Sequence, residues 1–269
     1  MRRVQKIALV LLALVALASL LAGWLAPSSY SEQFRDAISA PPSSRFLLGT
    51  DELGRDRFAR LLYGTRVSLL LAPAAALLST LIAALIGGTA GYIGGKWERT
   101  VTAGIDLFLA LPWLFLLLAV RALLPLNTSP ITSVMITFAL LGCLGWATPA
   151  RVIRAGTRTL VNSDFLVQAR ASGVSPARLF WRHLLPNLRP ILLAQFWVSV
   201  PLFILSEANL GLLGLGVAEP LPSWGALLRE LENYSAVLAS PWMLAPAILL
   251  VAVVCCLQLV LRTEDRIPC

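Results

Sequence analysis

Six runs of apolar residues constrain this chain more than any other feature, because each approaches the roughly 20 residues needed to cross the hydrocarbon core of a bilayer. They lie at about Ile7 to Ala26, Val67 to Gly88, Leu107 to Leu124, Ile131 to Ala150, Ile191 to Leu213 and Trp242 to Leu261. In lipid no water pairs a free N–H or C=O, so each run is predicted to be a helix. The expected fold class is an all-α polytopic membrane protein. Composition agrees: 58% apolar and 13% charged residues leave too little polar surface to cover a soluble domain of 269 residues. We expect a single transmembrane domain over 1–269, with an N-terminal helix at about 7–26, a loop at 27–66 and a five-helix core at 67–261.

The net charge of +8 reads as a topology signal rather than a nucleic-acid footprint, since the arginines and lysines gather in loops beside apolar runs. Arg2, Arg3 and Lys6 precede the first run, which exceeds a signal-peptide core and lacks a small-x-small exit; it reads as a retained helix with its N-terminus in the cytoplasm. Counting spans then puts about 92–106, 151–190 and the C-terminal tail in the cytoplasm, and about 27–66, 125–130 and 214–241 outside. The 151–190 segment carries seven arginines against Asp164 alone, while 214–241 carries Glu219, Glu230 and Glu232 against Arg229.

Chemistry-bearing residues are sparse. Cys143, Cys255, Cys256 and Cys269 have no metal or disulfide-framework spacing, and a lone His183 builds neither a metal site nor a triad. Gly94-Gly95-Lys96 suggests a phosphate loop, but Ala90 and Trp97 stand where that loop needs Gly and Ser/Thr. Gly87, Gly91 and Gly95, four apart, suit close approach of a neighbouring helix. With no nucleotide site, transport against a gradient needs either an ATPase partner or an ion gradient. Acids at membrane depth would mark ion coupling, and only Glu207 lies well inside a span, with Asp106 at the start of another. For Glu207 two readings stand: a place in the pathway or at a subunit seam, and a structural pairing with Ser206, Asn209 or another helix.

The basic segment 151–190 has an internal pattern. Asn162, Ser163 and Asp164 offer an N-cap and a first-turn acid, and Gly173 suits a left-handed C′ position. Ser175 then caps a second helix with Pro176 at its first position, and Pro186 ends it. Two short helices joined at a glycine corner, apolar through Phe165, Leu179 and Phe180, suit a groove on a partner protein; a helix lying on lipid is the alternative.

This segment resembles the EAA motif of ABC importer permeases. Gly173, Leu185 and Pro186 match its spacing and Ala169 fits its second alanine, whereas Val167 and Gln168 replace the glutamate and first alanine. Leu48-Gly49-Thr50-Asp51-Glu52-Leu53-Gly54-Arg55-Asp56 resembles the segment before the second helix in dipeptide, oligopeptide and nickel permeases of the C-type subunit. Leu213-Gly-Leu-Gly216-Val, Pro220 and Pro222-Ser223-Trp224-Gly225 resemble their last external loop, while the tail after Leu261-Arg262 departs from the family ending. Without the family, Asp51, Glu52 and Asp56 read as a solvated helix start capped by Thr50 rather than a metal site. Trp224 reads either as an aromatic-belt residue or as a gate or docking residue.

The resemblance implies a type I ABC importer permease of six transmembrane helices with a cytoplasmic coupling helix. The residues it places against the ATPase are Asp164, Ala169, Arg170, Gly173, Ser175, Pro176, Leu185 and Pro186. It implies a multi-pass protein of a bacterial or archaeal inner membrane, with both termini cytoplasmic and no catalysis, metal or cofactor in this chain. ATP and Mg²⁺ would sit in two cytoplasmic ATPase partners; a second permease and an extracytoplasmic solute-binding protein complete the expected assembly, whose cargo would be peptides, related small solutes or nickel chelates. An ion-coupled carrier or channel, and a membrane scaffold that docks a cytoplasmic partner, are the alternatives.

Overall fold

The structure, a computed structural model, describes residues 3–125 and 128–261. Helices dominate: α1 (Arg3–Leu20), α2 (Arg57–Ile93), α3 (Gly95–Ala110), α4 (Trp113–Leu123), α5 (Pro130–Leu144), α6 (Ala147–Val161) and α7 (Asp164–Ala171). After them come α8 (Pro176–Leu212), α9 (Trp224–Arg229), α10 (Tyr234–Ala239) and α11 (Ala245–Leu261). Among the described residues no strand forms, only an isolated bridge between Thr50 and Asp56. Among the described residues five helical stretches are long and apolar enough to cross a membrane, and α3 with α4 makes a sixth if the bent pair counts as one span.

The expected third span, Leu107 to Leu124, is not one helix. Its chain turns by 81° between α3 and α4. Pro112 explains the break, because its ring pushes the preceding residue out of helical geometry, and Leu111 is extended at φ −81°, ψ 131°. The first helix stops at Leu20, with a separate turn at Ala22–Leu25. The second is longer than its apolar run: 37 residues, about 55 Å at 1.5 Å per residue. The basic segment 151–190 holds more helix than the two short helices expected in it, since α6 carries about its first quarter, to Val161, and α8 begins within it and runs beyond it.

The described parts of the chain form two compact units. One comprises Met1–Ala72, Arg121–Phe138 and Pro201–Cys269; the other comprises Pro73–Val120 and Ala139–Val200. In the first, α1 packs on α11. In the second, Ala83, Ile105, Ala150, Ile153 and Leu188 form a buried core. Small side chains let helices meet there. A Cβ on Gly87 would strike the Ala150 carbonyl, and one on Gly91 would lie 2.8 Å from Thr157 Cβ, so α2 and α6 touch backbone to backbone. Gly95 does not share that role, because nothing lies within 4 Å of where its Cβ would stand. Ion pairs of Arg154 with Glu98 (2.7 Å) and of Arg151 with Asp106 tie α6 to α3.

Candidate functional site

The glycine-cornered element lies in the second unit. Asp164–Ala171 is helical, and Gly173 follows at φ +77°. The Gly173 N–H donates to Arg170 O at 3.1 Å and the Val174 N–H to Ala169 O at 3.2 Å, the paired bonds of a Schellman ending. Ser163 and Ser175 occupy the N-cap positions with extended backbone, but neither side chain makes the expected cap bond. Ser163 Oγ instead donates back to the Leu160 carbonyl.

Pro186 does not end the second helix. Residues Leu179–Leu184 take a π-helical turn, and the helix then runs on to Leu212. Such a wide turn, one residue before the proline's own turn, relieves the clash expected between the ring and the carbonyl four residues back. Asn187 Nδ2 donates to His183 O at 2.6 Å, supplying a side-chain donor where the ladder is disturbed.

The apolar residues divide between two faces. Leu166, Leu179 and Leu184 are buried with Val161, and the Tyr92 ring meets Phe180 edge-on at 6.1 Å. Leu179 and Phe180 therefore anchor the element to its own unit rather than offering themselves to a partner. Phe165, Val167, Gln168, Arg170 and Gly173 remain exposed. Val167 and Gln168, which break the motif, thus stand on the open face; Leu185 is half-buried, while Asp164, Ser175, Pro176 and Pro186 are exposed.

A second constellation lies in the first unit, ahead of α2. Residues 50–56 fold back on themselves: Asp51 N–H donates to Arg55 O at 3.0 Å, and Gly54, at φ +74°, has Phe34's carbonyl where a Cβ would stand. The expected solvated helix start capped by Thr50 is overturned. Thr50, Asp51 and Asp56 are buried, and the helix starts later, where Asp56 Oδ1 accepts from the Phe58 N–H at 2.9 Å. Thr50 Oγ1 accepts from the Ala40 N–H and donates to the Ala37 carbonyl.

Asp51 is the hub. Its Oδ1 accepts from the N–H groups of Leu53 (2.9 Å) and Arg55 (2.8 Å), and its Oδ2 from Arg55 Nε (2.7 Å) and Arg60 Nη1 (2.8 Å). Arg60, wholly buried, also reaches Glu219 at 3.0 Å and Glu230 at 3.4 Å, and Arg57 pairs with Glu230. Arg55 closes the ring onto Glu219. Burial pushes the carboxyls of Asp56 and Glu230 above their ordinary values; for Glu230 the Arg60 and Arg57 charges oppose it. Gly49 lies in the same fold-back, with Ala40's carbonyl and Trp242 against it, while Glu52 points outward. A cavity of about 530 Å³ opens beside this network, lined by Asp51, Glu52, Arg55, Glu219, Arg229 and Glu230 among others.

The third constellation, also in the first unit, joins Glu207 to Ser223-Trp224-Gly225. Glu207 is fully buried and accepts from Ser68 Oγ (3.3 Å) and the Gly225 N–H (3.4 Å). Trp224 is no aromatic-belt residue. It is wholly buried and donates from Nε1 to Thr65 Oγ1 at 3.0 Å, while Ser223 Oγ caps α9 by accepting from Ala226 N–H. A Cβ on Gly225 would lie 2.7 Å from the Glu207 carbonyl and 2.8 Å from Gly211 Cα, so α9 rests on the α8 backbone.

Sequence reading gives no role to Arg57 and Arg60, whose partners Glu219 and Glu230 lie far along the chain, or to Arg121. The last is buried, with Nη2 donating to Ser133 Oγ at 3.3 Å. As the sole charge in the run from Leu107 to Leu124, it carried a signal that a hydropathy window averages away. Arg262 and the rest of the tail lie outside the described residues, as do Leu126 and Asn127.

Comparisons with known proteins fit this picture. Residues 79–263 match the family described as binding-protein-dependent transport system inner membrane component, and residues 2–42 match the N-terminal transmembrane domain of oligopeptide transport permease C. The chain is 36% identical over 232 residues to the di/tripeptide transport system permease protein DppC of Pseudomonas aeruginosa, covering 84% of this chain and 75% of that one. It is 31% identical to the oligopeptide transport system permease protein OppC of Haemophilus influenzae, over 94% and 79% of the two chains. The OppC protein of Mycobacterium tuberculosis is 34% identical, over 87% and 79%. With its buried motifs, its polytopic helices and a family match over most of its length, the chain belongs to the binding-protein-dependent transport system inner membrane components.

Proposed function

We propose that this chain is one permease subunit of an ATP-driven importer of short peptides, paired with a second permease, two cytoplasmic ATPase subunits and an extracytoplasmic binding protein. Relatives named as di/tripeptide and oligopeptide permeases support the peptide class. The observation that carries the coupling role is the division of faces on α7: Leu166 is sunk into the unit's core while Phe165, Val167, Gln168 and Arg170 stand open. A force applied to the open face would pass through Leu166, Leu179 and Leu184 into α6 and α8. In this reading α7 is cytoplasmic, the Asp51 network and the 214–241 segment are external, and both termini are inside. ATP and Mg²⁺ bind in the partner ATPases. Closure of those subunits around ATP would move the element and shift the bundle between inward- and outward-facing states, because ATP contacts differ between the two.

Gly173 provides the test. Nothing lies within 4 Å of where its Cβ would stand, so the cost of a side chain there is backbone strain alone. Aspartate tolerates left-handed geometry better than most residues. Gly173→Asp is expected to leave membrane insertion and yield intact while uptake in proteoliposomes of the whole complex falls by about tenfold or more, the scale of a disrupted hot spot. ATP hydrolysis should continue without transport. Normal uptake in that variant, or purification of the chain without any ATPase subunit, would remove the coupling role.

A further inference from the structure

The cavity beside the Asp51 network holds charges that the network does not neutralise. Arg55 and Arg57 on its wall, and Arg60 behind it, are committed to Asp51, Glu219 and Glu230. Arg229, at the end of α9, lines the same cavity and enters no ion pair among the described residues. It also lines an adjoining recess of about 70 Å³ with Gly211, Gly214 and Gly216, so it stands where the two spaces meet. Glu52 and Glu232, on the wall of the larger space, are likewise exposed and without an ion pair among the described residues.

A glycine makes room for the Arg229 guanidinium. A Cβ built on Gly214, whose φ is +73°, would lie 3.2 Å from Cζ, Nη1 and Nη2 alike. Equal distances to three atoms of the guanidinium mean that its flat face lies over Gly214, leaving its N–H edge to project sideways. A planar fork with free edges matches a carboxylate. The larger space, about 530 Å³, falls within the range of small-molecule sites. An unneutralised cation and unneutralised acids lining one cavity complement a zwitterion, which carries a carboxylate and an ammonium on a small frame.

We propose that this cavity receives a short peptide, with the Arg229 guanidinium taking the terminal carboxylate and Glu52 or Glu232 facing the ammonium. The assignment rests on the peptide-importer reading and names the group in this subunit that meets the cargo. Arg55, Arg57 and Arg60 keep the wall rigid, and Gly214 gives the Arg229 fork the space it occupies. The neighbouring acids Glu219 and Glu230 are held by other arginines, which leaves Arg229 available.

Tri-alanine and its C-terminal amide, titrated separately into the purified permease–ATPase complex without the binding protein and followed by ligand-dependent thermal shift, test the assignment. The wild-type complex should bind the free acid more tightly than the amide by about tenfold, the scale of one charge-assisted pair. Arg229→Gln should abolish that preference by weakening the acid alone, Arg229→Lys should keep part of it, and Gly214→Ala should reduce it by displacing the fork. Equal binding of both probes by the wild type, no binding of either, or an equal loss of both in Arg229→Gln would overturn the assignment. Uptake of tri-alanine by the whole system separates the two readings: uptake with no cavity preference sinks only the Arg229 role, whereas a system that carries no peptide sinks the importer reading as well.

Discussion

Asp51→Ala should destabilise the protein by about 3–5 kcal/mol, the range for breaking a buried ion pair by removing one partner. The side chain is almost wholly buried and accepts four hydrogen bonds, two from backbone N–H groups and two from arginines. Its loss takes from the wholly buried Arg60 guanidinium the carboxylate that Nη1 meets, leaving it only Glu219 and Glu230, takes Arg55 Nε's partner, and leaves the N–H groups of Leu53 and Arg55 without that acceptor. Thermal unfolding of the purified complex in detergent reads the change; a midpoint within a degree of wild type would mean the network is not structural. Arg60→Met adds a pH signature. Burial already raises the Glu230 carboxyl, with Arg60 the main opposing charge, so removing Arg60 raises it further. A carboxyl raised in the folded state contributes stability that is present below its unfolded value and lost as pH rises through its folded value. The Arg60→Met deficit should therefore shrink as the pH is lowered towards the ordinary carboxylate range, and a deficit that grows on acidification would contradict this account.

The spans were legible because twenty apolar residues in lipid have no alternative to helix. Where those helices break was less so. Pro112 and Pro186 present the same local warning, a proline within a helical pattern, yet α3 and α4 part at the first while α8 runs through the second. A π turn at Leu179–Leu184 precedes the second, and there Leu179 and Leu184 pack with Val161 and Leu166, a tertiary setting absent from any local window. The corner at Gly173 could be read because its demand is local: a left-handed residue directly after a helix. Asp51 could be singled out by its motif but not understood by it. Its second-order partner Glu219 lies 164 residues from Arg55, and only folding brings them together. The same holds for Trp224, whose indole N–H finds Thr65 at a separation of 159 residues and so sits inside rather than at a lipid boundary. A contact with another subunit would leave no such internal trace, and the exposed face of α7 is what its own unit leaves uncovered.

Two adjacent glycines on α2 should respond in opposite ways to the same substitution. A methyl group on Gly87 would be driven into the Ala150 carbonyl, a backbone atom that cannot rotate away, whereas nothing lies within 4 Å of the corresponding point on Gly88. Gly87→Ala must therefore push α2 and α6 apart, and overpacking of this kind costs typically about 1–3 kcal/mol, more where only backbone is available to move. Separation would also strain the neighbouring contact at Gly91 against Arg154 and Thr157, and with it the pairing of Arg154 to Glu98. Gly88→Ala meets no such obstacle, and at a helical position alanine is favoured over glycine by about 0.8–1.0 kcal/mol. The expected outcome is a lowered unfolding midpoint and reduced yield of assembled complex for Gly87→Ala beside an unchanged or slightly raised midpoint for Gly88→Ala. Because both variants add one methyl group to consecutive residues of the same helix, composition and hydrophobicity cancel between them. Equal behaviour of the two would mean that α2 and α6 do not meet at Gly87.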